Sequence, residues 1–143
     1  MKRVINGKIA LLGMILAWVL LVRFLTACSA GGGQEEKVRD LEFTVTAENE
    51  IPEELRQIIQ EKQIAPFKLT YSDDKNLYIA AGYGEQASGG YSISVKALYL
   101  TQNSIVYDTE LLGPENKEAA GTEKSYPYIV VKTEFLEEPV VFK

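Results

Sequence analysis

The stretch Tyr91-Ser92-Ile93-Ser94-Val95-Lys96-Ala97-Leu98-Tyr99-Leu100-Thr101 puts Tyr91, Ile93, Val95, Ala97 and Tyr99 at every second position, against Ser92, Ser94 and Lys96. A period of two belongs to an extended strand with one apolar face and one wet face. Gln102-Asn103 follows as a tight turn. Ile105, Tyr107 and Thr109 then alternate with Val106, Asp108 and Glu110 in a returning strand.

The same reading extends upstream. Phe67 to Tyr71 and Leu77 to Tyr83 (LYIAAGY) form a hairpin around the turn Ser72-Asp73-Asp74-Lys75-Asn76. Leu41, Phe43 and Val45 alternate with Glu42, Thr44 and Thr46 as a first strand. Between these lies one amphipathic helix of about three turns. Pro52 suits its first turn, Glu53 and Glu54 its positive end, and Leu55, Ile58, Ile59 and Lys62 recur at helical spacing. Downstream, Gly113 to Ser125 (GPENKEAAGTEKS) reads as a polar, mobile loop. Tyr126 to Thr133 is a strand whose β-branched run Ile129-Val130-Val131 predicts cover on both faces, and Val140-Val141-Phe142 is an edge strand beyond Pro139. One helix with six or seven strands, mostly hairpin-linked, predicts an antiparallel α+β domain built as a small barrel or sandwich.

The N-terminus has a different composition. Lys2, Arg3 and Lys8 precede an unbroken apolar run from Ile9 to Val22, and Leu25-Thr26-Ala27-Cys28 then reads as a lipoprotein cleavage box. The apolar run rises about 21 Å as a helix, short of a hydrocarbon core roughly 30 Å thick. Residues 1–27 are therefore expected to be a lipoprotein signal peptide, with Cys28 the lipidated first residue of the mature chain. Arg23 lies where such signals are normally uncharged, which leaves an uncleaved anchor from Ile9 to Ala27, or ordinary secretion, as alternative readings. All three place the remainder outside the cytoplasm, held at the cell membrane in the first two. Residues 28–37, with Gly31-Gly32-Gly33, read as a flexible tether, and residues 38–143 as one folded domain.

Composition narrows the chemistry. The chain has no His and one Cys, so imidazole acid–base catalysis and thiolate chemistry in the mature domain are not expected. Four of the 15 basic residues precede Cys28, leaving 11 against 20 acidic residues, a net charge of −9. That surface repels phosphate backbones, so nucleic acid is not an expected partner. The acid pairs Glu53-Glu54, Asp73-Asp74 and Glu137-Glu138 sit on a helix start and turns, where solvated surface is the default, and their spacing fits no metal loop. Neither a catalytic residue nor a metal or other cofactor is expected.

The segment Gly82-Tyr83-Gly84-Glu85-Gln86-Ala87-Ser88-Gly89-Gly90-Tyr91 joins two strong strands. Its glycines read first as mechanical, allowing close backbone approach in a loop that re-enters a sheet; neither a P-loop lysine nor a helix start follows Gly90. Gly84-Glu85-Gln86-Ala87-Ser88-Gly89-Gly90-Tyr91, with Pro127-Tyr128-Ile129-Val130-Val131-Lys132 further on, resembles the PrcB C-terminal domain family and its G-E-x-x-[TS]-G-G-Y core. The likeness spans Leu77 to Lys132; Ser88 stands where Thr is commoner and Ala87 where Pro is common. It implies a lipoprotein domain that serves as accessory subunit of a surface protease complex, beside a secreted subtilisin-like protease. The expected function is a non-catalytic, lipid-anchored extracytoplasmic binding module, with Gly84, Glu85, Ser88, Gly89, Gly90, Tyr91 and Tyr128 as the partner-binding set. A small-ligand-binding or envelope-sensing lipoprotein is the alternative.

Overall fold

In a computed structural model that describes residues 35–143, the elements run β1 (Lys37–Asp40), β2 (Phe43–Val45), a 3₁₀ turn (Glu48–Glu50), α1 (Glu53–Lys62), β3 (Pro66–Ser72), β4 (Asn76–Tyr83), β5 (Ser92–Thr101), β6 (Ile105–Leu112), α2 (Lys117–Ala120), β7 (Tyr128–Glu134) and β8 (Val140–Phe142). The expected signal peptide, Cys28 and most of the tether lie outside the described residues. Glu35 to Lys37, read as the end of that tether, belong to the folded unit. Lys37 opens β1, and the Glu35 carboxylate accepts from Thr101 Oγ1 at 2.5 Å and Ser104 Oγ at 2.7 Å.

Eight strands make two four-stranded sheets, ordered β1-β5-β6-β8 and β2-β7-β4-β3. Neither closes on itself, so of the two expected architectures the described chain is a sandwich and not a barrel. All pairings are antiparallel except β6–β8, which is parallel in register Ile105↔Val140 to Tyr107↔Phe142. The parallel pair arises because β8 returns after β7 has crossed to the other sheet, which a hairpin reading does not anticipate.

The core between the sheets gathers Leu41, Leu77, Ile79, Ala81, Leu98, Ile105, Tyr107, Ile129 and Val131. A second cluster lies on the far face of the β2-β7-β4-β3 sheet. There Leu55 and Ile59 of α1, with Ile51, cover Phe67, Tyr78, Ala80 and Val130. Strands β4 and β7 are thus buried on both faces, which explains why they are written as the near-continuous runs LYIAAGY and IVV. Ile58, on the same helix but turned outward, remains exposed.

The face assignment made for Tyr91–Thr101 holds only for its first half. A bulge between Val95 and Ala97 sets Val95 opposite Thr109 but Ala97 opposite Asp108. One extra residue inverts the alternation. Leu98 and Leu100 therefore turn to the core in place of Ala97 and Tyr99, and Leu98 is buried opposite Tyr107. Strand β1 escapes the periodicity reading because Lys-Val-Arg-Asp carries no apolar alternation and is wholly exposed. Phe43 and Val45, read as a buried face, stay 39% and 55% exposed because β2 is a three-residue sheet edge.

Candidate partner-binding site

Strand β4 ends at Tyr83, and the ladder it forms with β7 continues irregularly into the motif loop. Tyr83 N donates to Pro127 O at 3.0 Å, and Gln86 and Ser125 exchange backbone bonds of 2.8 and 3.1 Å. The loop therefore lies along the chain segment that leads into β7. Gly84, at φ +75°, is buried; a Cβ there would come within 2.9 Å of Pro66 N. Glu85 N donates to Ile64 O at 3.0 Å, tying the loop to the end of α1 as well.

Glu85 is the electrostatic centre of this arrangement. Its carboxylate accepts from Lys124 Nζ at 2.7 Å and from the Tyr126 hydroxyl at 3.1 Å. The Lys124 bond, and after it the Tyr126 bond, hold the carboxyl below its ordinary value, and the same contact raises Lys124. Ser88 takes part through its backbone, its carbonyl accepting from Ser125 Oγ at 2.6 Å.

Gly89 and Gly90 face the loop that carries α2. A Cβ on Gly89 would meet Ala120 O at 3.1 Å, and one on Gly90 would meet Ala119 O at 2.6 Å and Pro114 Cβ at 2.8 Å. Gly90 also holds φ +80°, where an L side chain is strained. The segment read as a mobile polar loop is thus packed and locally capped, with Asn116 Oδ1 accepting from Ala119 N at 2.8 Å.

Of the two aromatic candidates, Tyr91 lies beside the start of that loop and Tyr128 lies apart from it. Tyr91, half-buried, has its ring 3.9 Å from a Cβ built at Gly113. Tyr128 sits on the α1 side of β7, its ring centroid 6.5 Å from that of Phe67, within the second cluster. Burial, and secondarily the Glu48 carboxylate, push its phenol above the ordinary value, partly offset by Arg56.

The structure therefore brings Glu85, Ser88, Gly89 and Gly90 together as an internal clasp, with Gly84 anchoring it from the α1 side and Tyr128 on another surface. Lys124, Ser125 and Tyr126, which close the clasp, were not singled out by sequence reasoning. Nothing local marks them, because their partners are 37 to 41 residues away. Among the described residues no cluster of three or more His, Cys, Asp or Glu side chains could hold a metal ion, and no helix is long and apolar enough to cross a membrane.

Beside Tyr126 and Tyr128 the surface is concave. A cleft of about 340 Å³ runs from Val45 and Thr46 past Glu48 and Ile51 to the Tyr126–Val130 segment. Two further clefts flank the sandwich. One of about 840 Å³ is walled by Arg39 and Glu134, which pair at 2.6 Å. The other, about 490 Å³, opens between β3 and β8, where Lys68 Nζ lies 5.6 Å from the Phe142 ring centroid.

No curated protein and no solved structure matches the chain. Residues 77–134 match the family described as PrcB C-terminal. The matched segment begins with β4 and ends with β7, so it supplies the two inner strands of each sheet and both loops of the clasp; the four edge strands lie outside it. The likeness to the PrcB C-terminal family thus rests on the segment that builds the inner strands and the clasp.

Proposed function

We propose that this protein is a non-catalytic, lipid-anchored extracytoplasmic binding module, an accessory or stabilising subunit for a secreted or surface protein such as a protease. The match of residues 77–134 to the PrcB C-terminal family supports the accessory role in a protease complex. The observation that carries the reading is the use made of Glu85. The one charged residue of the family-like core holds Lys124 and Tyr126 and so fixes a surface segment, Lys124 to Tyr128, beside an open cleft. A residue spent on shaping a surface fits recognition better than turnover. Anchoring through Cys28 rests on the N-terminal sequence, and the net charge of −9 after the signal disfavours nucleic acid.

Crosslinking of the full chain in its own envelope, followed by affinity recovery and mass spectrometry, tests both halves. The expected result is a diacylglyceryl-modified N-terminal Cys28 peptide and one dominant extracytoplasmic protein. An unmodified Cys28 within an uncleaved N-terminus refutes the anchor, and absence of any enriched protein refutes the accessory role.

The cleft between β3 and β8, lined by Phe67 and Ala81 and with Lys68 over the Phe142 ring, favours a second reading as a small-ligand or envelope-sensing lipoprotein. A thermal shift with muropeptides or fatty acids, abolished by Lys68→Glu, would support that reading in place of the first.

A further inference from the structure

The β2-β7-β4-β3 sheet is unfinished beside the N-terminal half of β7. Strand β2 pairs with β7 only from Phe43↔Thr133 to Val45↔Val131, and Thr46 N makes the last bond, to Val130 O at 2.8 Å. The chain then leaves through Ala47 into the 3₁₀ turn. On the opposite side, Tyr83 N bonds Pro127 O, so the alternation of an antiparallel ladder directs Pro127 and Ile129 toward β4 and the N–H and C=O of Tyr128 toward the side β2 has vacated.

The cleft of about 340 Å³ lies on this side. Three features of it point to an occupant. Thr46 is 8% exposed and lines the cleft, yet its Oγ1 has no hydrogen-bond partner. Such an atom carries a desolvation cost that an incoming donor or acceptor would relieve. Val45, Ile51, Tyr126 and Tyr128 give the cleft apolar and aromatic walls, and Tyr126 is held in place by Glu85. The charged side chain in the lining is Glu48; the nearby cation, Arg56, is already paired with Glu53.

Resting on the binding-module reading above, we propose that this cleft binds an extended segment of the partner protein, added beside β7 in line with β2, with an apolar side chain among the tyrosines and a basic one at Glu48. Strand addition supplies the backbone bonds that Tyr128 lacks, and the pockets for alternate side chains supply selectivity. The excess of acidic residues over the domain favours a basic segment over an acidic one and speeds its approach.

The test uses the full-length protein in detergent micelles and a fluorescent, capped hexapeptide alternating valine and lysine. Two companion peptides carry glutamate for lysine, or N-methyl groups on alternate amides. Saturable binding of the lysine peptide is expected, weaker by about tenfold for the glutamate peptide and lost on N-methylation of the pairing amides. Glu48→Lys should reverse the charge preference. Thr46→Val should weaken binding by about threefold to tenfold while leaving the melting temperature equal or higher.

Equal binding of both charge types, or unchanged binding by both variants, overturns the proposal. So does self-association of the free protein that Glu48→Lys abolishes, which would assign the cleft to a second copy. Crosslinking in the envelope separates this idea from the reading beneath it. A partner recovered equally by wild type, Glu48→Lys and Thr46→Val overturns the cleft but keeps the accessory role, whereas no partner and no peptide binding overturns both.

Discussion

Replacing Gly82 by alanine should destabilise the domain for a reason that a second substitution removes. Gly82 lies opposite Phe67 in the β3–β4 pair, and the Phe67 ring covers it. An added Cβ would fall 2.1 Å from Phe67 Cε1 and 2.5 Å from Cδ1, so the ring must move. Phe67 is 8% exposed and belongs to the cluster with Tyr128 and Ile59, which opposes that movement. Overpacking of this kind costs about 1–3 kcal/mol. The cleft bordered by Phe67 and Tyr83 gives the ring somewhere to swing and sets the expectation near about 1–2 kcal/mol.

Phe67→Ala alone should cost about 3–5 kcal/mol through the cavity it leaves. In that background the obstacle is gone, and Gly82→Ala should become neutral or stabilise by roughly 0.5–1 kcal/mol, since alanine orders a strand interior better than glycine. The effect of the methyl thus changes sign between the two backgrounds. Urea unfolding of the four proteins measures it as a double-mutant cycle. The same destabilisation by Gly82→Ala with and without the Phe67 ring would refute the packing argument.

Gly90→Val should lose about 2–4 kcal/mol, combining left-handed strain with the contact to Ala119 O. Gly89→Ala, with one contact at 3.1 Å, should lose under about 1 kcal/mol; equal losses in urea unfolding would show that the loop adapts. Glu85→Gln tests the clasp by pH. The folded-state carboxyl lies below its ordinary 4.5, so its contribution is present above the unfolded value and lost as pH falls through the folded one. Wild type should therefore lose more stability than Glu85→Gln on acidification below that value, and parallel pH profiles would count against it. Tyr107→Phe should raise the melting temperature, because the Tyr107 hydroxyl is buried without a partner, and burial drives its pKa far upward. Its removal is worth about 0.5–1.5 kcal/mol, and a lower melting temperature would contradict that.

Local pattern in the chain was enough for several elements. The alternation of Ile105 to Glu110, the apolar spacing in α1 and the Asp73 turn, whose Oδ1 accepts from Lys75 N and Asn76 N, depend on neighbours a few residues apart. The glycine-rich core was legible too, since Gly84 and Gly90 are demanded by backbone that no other residue adopts cheaply. What those glycines pack against was not legible. Glu85 meets Lys124 and Tyr126, Gly90 meets Ala119 and Pro114, and Tyr128 turns to Phe67 instead of to the motif loop.

By itself the sequence determined that the chain is a β-rich domain with one amphipathic helix and a family-like core, because strand and helix periods are written residue by residue. Only the tertiary structure decided that the sheets form an open sandwich, that a bulge at Lys96 exchanges Ala97 and Tyr99 for Leu98 and Leu100 at the core, and that the motif becomes a clasp. These depend on which distant strand supplies each partner, and a period of two is the same whichever strand that is.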